Sequence, residues 1–177
     1  LPMLPVQILT QNLLCDFSQM GIPFDTMDAD YIKKPRRWET NSIKSFMTYM
    51  GPLSSIFDIL CYAIMWFAIG ANTTAMGPLF QCGWFVFGTV SQVLVIHLIR
   101  TAKVPFLQSN ASLPLYISTF IVTAVALLIG FTDISVALDM IRLPLAFVPW
   151  LVLILALYFL STQVVKKIYV KRYGEWL

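Results

Sequence analysis

A chain of 177 residues in which 58% are hydrophobic and only 12% charged has too few polar side chains to cover a water-soluble core. Soluble domains carry about 25% charged residues, and a mean hydropathy of +0.76 places this chain among proteins solvated by lipid. The net charge of +3 includes no basic stripe fitted to a nucleic-acid groove, so membrane lipid is an expected partner and nucleic acid is not.

The first predicted element covers residues 4–22. Gln7, Gln11, Asn12, Asp16, Ser18 and Gln19 interrupt its apolar residues, and alone it would insert poorly, because each polar group in hydrocarbon is costly. One reading is an amphipathic helix on the membrane surface. The polar residues are amides and a carboxylate rather than Lys and Arg, which favours a helix lining a protein interior. Asn12 and Asp16 are four apart and share a helix face, with Gln19 a turn further on. Amide and carboxylate oxygens are the ligand set of a hard cation, but an interhelical hydrogen bond ordering the bundle would use the same residues. Cys15, Cys61 and Cys82 are an odd number with no Cys-x-x-Cys spacing, which gives neither a disulfide framework nor a zinc site.

Four long apolar runs follow, at residues 47–69, 79–99, 115–131 and 143–165, and each is long enough to cross a bilayer as a helix. None alternates in polarity as a barrel strand does. The fold class expected is therefore an all-α membrane protein, a bundle of about five transmembrane helices in one domain over residues 1–177. Asp58 stands at the centre of the second span, where an unpaired charge is costly; a structural partner or protonated state and a role in an ion path both remain open. His97, near a helix end, reads as a packed or interfacial histidine before a proton relay.

Loop charges set the orientation. Lys33, Lys34, Arg36, Arg37 and Lys44 lie between the first two spans. Arg100 and Lys103 follow the third span, and Lys166, Lys167, Lys171 and Arg172 follow the last. The other two loops hold Arg142 alone. The positive-inside rule makes the basic side cytoplasmic, with the first residue outside and the C-terminus inside. Trp66, Trp84, Tyr158 and Tyr169 are placed like interfacial anchors. Asp28 and Asp30 read as part of a solvated loop beside Lys33 and Lys34. The glycosylation patterns at Asn72 and Asn110 are discounted as chance matches. Leu1 opens straight into an apolar run with no initiating Met or basic leader, the start expected of a piece of a longer protein.

The stretch Leu4-Pro5-Val6-Gln7-Ile8-Leu9, then Asn12-Leu13-Leu14-Cys15-Asp16, then Asp28 and Lys34-Pro35-Arg36-Arg37, resembles the sixth transmembrane helix and following cytoplasmic loop of P-type cation pumps. The remaining spans fit helices seven to ten, so the resemblance covers the whole chain. Cys15-Asp16-Phe17-Ser18-Gln19-Met20-Gly21-Ile22-Pro23-Phe24-Asp25 is most similar to the bacterial magnesium-transporting branch. That resemblance implies that Asn12 and Asp16 bind the transported Mg2+, and that the chain belongs to a bacterial inner-membrane magnesium importer driven by ATP. It also implies that the loop after the first span contacts the phosphorylation domain. Calcium pumps carry a threonine where Cys15 stands, and a thiol is a poor magnesium ligand. They also carry a glutamate in helix eight, where this chain offers only Ser91 and Gln92. Gln92 lies about 10 Å from its helix's inner end and Asp16 about 9 Å from its own, so Gln92 is expected beside the site as a neutral group, with one ion rather than two. Gln19 and Asp58 complete the candidate set. No Asp-Lys-Thr-Gly motif or glycine-rich phosphate loop is present, so ATP is expected to be used by other parts of the parent, with no catalytic residue here. The competing class is a non-enzymatic membrane scaffold or assembly subunit, which explains the hydropathy but not the Asn12/Asp16 face.

Overall fold

The computed structural model describes residues 2–25, 40–101, 103–106 and 108–173. Asp28, Asp30, Lys33, Lys34, Arg36 and Arg37 lie outside the described residues. Among the described residues five α-helices follow one another: α1 Pro5–Gln19, α2 Thr40–Ala63, α3 Gly77–Ile99, α4 Leu113–Phe131 and α5 Phe147–Tyr173. No strand occurs among the described residues.

Prolines mark most of the helix starts. Pro5, Pro78 and Pro114 occupy the first or second helical position, where an N–H has no intrahelical acceptor and a fixed φ is already helical. At the other end of α1, Gly21 and Pro23 close the chain into a 3-10 turn over Ile22–Phe24. α2 carries Pro52 inside and continues into one π-helical turn, Ile64–Ala68. Around the proline, Thr48 and Ser55 donate their hydroxyls to the carbonyls of Lys44 and Gly51, at 2.8 and 3.2 Å. Gaps in backbone bonding within a membrane helix are tolerated where such side chains stand nearby.

Among the described residues four segments are long and apolar enough to cross a membrane: Lys44–Ala68, Thr74–Ile99, Leu113–Phe131 and Phe147–Arg172. α1 is shorter. Its 15 residues rise about 22 Å, less than the ~30 Å hydrocarbon core, so the expected span over residues 4–22 is a shorter polar helix followed by a turn. The last helix begins at Phe147 rather than at residue 143, because Leu143 donates its N–H to Gly130 at the end of α4 (2.8 Å) and Pro144 follows in the turn. It also runs on to Tyr173, so the basic tail continues the helix, and Lys171 and Arg172 sit where the helix dipole favours cations. Lys44 likewise rides on α2 rather than in a loop.

α3 is the central helix and packs against α1, α2, α4 and α5. Cys82, Phe85, Val86, Phe87 and Thr89 are all buried, as expected of a helix with neighbours on every side. α2 and α5 pair through aromatic edges, Phe57 on Tyr158 at 5.1 Å and Tyr49 on Tyr169 at 5.8 Å. Tyr158 and Tyr169 are therefore buried between helices instead of facing outward as anchors, whereas Trp66 is exposed. Lys166 also departs from expectation. It is 2% exposed and donates from Nζ to the Thr101 carbonyl at 2.9 Å, because the helix brings it under the loop after α3.

The two ends of the bundle are distinct. One gathers the start of α1, the start of α3 and the 132–142 segment, through Gln81 donating to the Pro2 carbonyl (2.7 Å) and Gln7 to the Leu138 carbonyl (2.9 Å). The other gathers Asp25, Arg100, Ser112 and Lys166.

Candidate functional site

α1 has two polar stripes. Gln7, Gln11, Cys15 and Ser18 recur at intervals of three and four and face the bundle. Gln7 is wholly buried and satisfied. Its Oε1 accepts from the Leu4 N–H (3.0 Å), and its Nε2 donates to Gln81 Oε1 (3.2 Å) as well as to Leu138. Gln11 lies over Gly88, so close that a Cβ there would stand 2.5 Å from Gln11 Nε2. The Cys15 thiol donates to Gln92 Oε1, and Ser118 donates its hydroxyl to the Ser18 carbonyl (3.0 Å). Gly21 then lets α1 press against α4, where an added Cβ would meet Leu115 Cα at 2.6 Å.

The second stripe, Asn12, Asp16 and Gln19, turns away. All three are exposed, among exposed Leu9, Leu13, Phe17 and Met20. No hydrogen bond to their side chains occurs among the described residues. Gln92 is exposed too, and its bond to Cys15, the residue before Asp16, brings it beside α1. Asn12 and Asp16 stand on the open side of α1, and no hydrogen bond joins either to Gln92 among the described residues. The structure does not gather Asp58 with them, since α2 packs chiefly on α5 and α3, whereas α1 packs on α3 and α4. Asp58 is half-buried, without an ion pair among the described residues. His97 is the packed histidine anticipated. It is buried, shares a 3.0 Å hydrogen bond with Thr119, and stacks on Tyr116 at 5.4 Å.

Two features escaped the sequence reading. The inner stripe, 7-11-15-18, was legible by its spacing but merges with the outer stripe when polar residues are counted together. The bond of Asp25 to Arg100 joins residues 75 apart, and no spacing rule finds such a pair.

Among the described residues no three His, Cys, Asp or Glu converge on one point. The outer face of α1 offers the carboxylate of Asp16 and the amides of Asn12 and Gln19, oxygen groups of the kind a hard cation takes.

A helical, multi-pass membrane domain carrying such an open polar face is the class this fold defines. Residues 1–168 match the family described as Cation transporting ATPase, C-terminus, and the chain belongs to that family. Among its relatives, the "Magnesium-transporting ATPase, P-type 1" of Escherichia coli (strain K12) is 51% identical over 174 residues, 98% of this chain. The protein of that name from Salmonella typhimurium (strain LT2) is 44% identical over 176 residues, 99% of this chain. In both cases the chain spans 19% of the relative's length.

Proposed function

We propose that this chain is the C-terminal membrane part of an ATP-driven magnesium importer of the bacterial inner membrane. Asn12 and Asp16 bind the transported Mg2+, and Gln92 stands beside them. The carrying observation is that the carboxylate and amide of α1 face away from its own packing surface. An ionisable group turned to lipid is costly, so another part of the parent must cover that face, and the ion site forms between the two. The relatives' length leaves ample chain for this role, and their printed names support magnesium as the ion. A scaffold subunit has no use for an open face of this composition.

Mg2+ is the cargo here. Asp16 offsets its charge, Asn12 adds a neutral oxygen, and Gln19 and Asp58 stand further along candidate paths. Nucleotide binding and phosphoryl transfer belong to the parent's other domains, which drive the site through a conformational change. The basic end of the bundle faces the cytoplasm.

The test is Asp16→Asn in the full-length parent. Size and one carbonyl oxygen are kept while the charge is lost. Magnesium uptake by cells that rely on this pump should be abolished, with the purified protein's Tm unchanged. Normal uptake would show that the carboxylate is structural.

A further inference from the structure

At the basic end of the bundle, one ion pair joins three elements. Asp25 lies just beyond the 3-10 turn that ends α1, and Arg100 caps the C-terminus of α3. Arg100 donates from Nε to Asp25 Oδ2 at 2.6 Å and from Nη2 to Oδ1 at 3.4 Å. The backbone N–H of Ser112, at the start of α4, donates to the same Oδ1 at 2.7 Å. The guanidinium also donates to Ser109 Oγ at 3.2 Å and to the Asn110 carbonyl at 3.0 Å. The two charged side chains are only 10% and 11% exposed. Each also lies at the helix end that favours its sign, the carboxylate at the N-terminus of α4 and the guanidinium at the C-terminus of α3. Forked, charge-assisted bonds of this kind fix orientation as well as distance.

α1 is short and carries the ion ligands, so its placement against α3 decides where Asp16 stands relative to Gln92. Along its length it is held by amides, a thiol and a glycine contact. The Asp25–Arg100 bond is the charged one among these described fastenings. It also stands directly before the segment that leads into α2, which the pump reading makes the route of coupling to the phosphorylation domain. A force entering there meets Asp25 before it meets Asp16.

We infer that the Asp25–Arg100 pair is a positioning element for the ion site: it fixes the end of α1 to α3 and α4, and so sets the affinity for Mg2+ without touching the ion. The inference rests on the pump reading. Groups bonded directly to metal ligands commonly change affinity by about tenfold or more when removed; this pair acts on Asp16 only through the end of α1, so a smaller, several-fold change is expected.

The experiment measures uptake by intact cells whose only magnesium route is the full-length parent, with external Mg2+ titrated while cellular ATP stays constant. Asp25→Asn and Arg100→Gln should each raise the half-saturating concentration several-fold, with the maximal rate per pump in the membrane within a factor of two. The double variant should be no worse than either single one, as expected of one shared interaction. Arg100→Lys, which keeps the charge but loses the fork, should fall between. A merely structural pair would lower the maximal rate in proportion to folded pump and leave half-saturation unchanged; that result in Asp25→Asn and Arg100→Lys overturns the inference. Asp16→Asn runs alongside. If it transports normally, the ion-site reading itself fails; if it is inactive while the Asp25 and Arg100 variants saturate like the parent, only the positioning role fails.

Discussion

Asn12 and Asp16 are separated by one turn, yet they should not be equal in effect. Magnesium surrenders water reluctantly and favours carboxylates, so a neutral amide oxygen is the ligand that water replaces most easily. Asn12→Ala should therefore leave measurable uptake, with half-saturation shifted upward, where Asp16→Asn leaves none. Equal and complete loss in both would mean that Asn12 carries more than one oxygen's share. Gln7 shows the opposite fate for an amide on the same helix: three hydrogen bonds make its complete burial tolerable. Side-chain chemistry alone does not separate the two; the direction each faces does.

α1 is held as an element by close approach as much as by polar bonds. Two glycines serve it, and they should differ. A Cβ at Gly21 would stand 2.6 Å from the Leu115 Cα, a backbone atom that moves only with α4. At Gly88 the obstacle is the end of the Gln11 side chain, which can swing aside. Gly21→Ala should lower the Tm of the purified parent by an amount matching about 1–3 kcal/mol of overpacking, and Gly88→Ala by much less. Equal losses would show that Gln11 is as fixed as backbone. At this scale much of the architecture is legible in the sequence. The four apolar runs became the four long helices, with starts set near Pro78 and Pro114. The exceptions have local causes. Pro144 and the bond from Leu143 to Gly130 delay α5. Lys166 entered the interior because helix continuation carried it under Thr101.

For the molecule as a whole, loop charge and architecture agree on two unlike ends. Arg100, Lys103 and Lys166 stand at the end opposite Ala75 and Arg142. If the basic end is cytoplasmic, a cysteine at exposed Ala75 should react with a membrane-impermeant thiol reagent in intact cells, and one at exposed Asn110 only after permeabilisation. The native cysteines are all buried and should give little background. Labelling in the reverse order would invert the topology. Within this frame the Asn12–Asp16 side of α1 is open, and under the proposed pump reading the remaining length of the relatives is where its covering partner is sought.

The sequence by itself determined the membrane class, the four long spans, the sidedness of charge and the Asn12–Asp16 stripe. Each of these follows from composition or from a period of one helical turn, which are local properties of a chain in lipid. Only the tertiary structure decided that α1 carries two polar stripes with opposite fates, that Gln92 meets Cys15, and that Asp58 stands on a different seam. It also decided that Asp25 is clasped by Arg100. These depend on which helices become neighbours and how closely, and that is settled by glycine contacts and long-range hydrogen bonds between residues some 70 to 100 positions apart, beyond the reach of any local pattern.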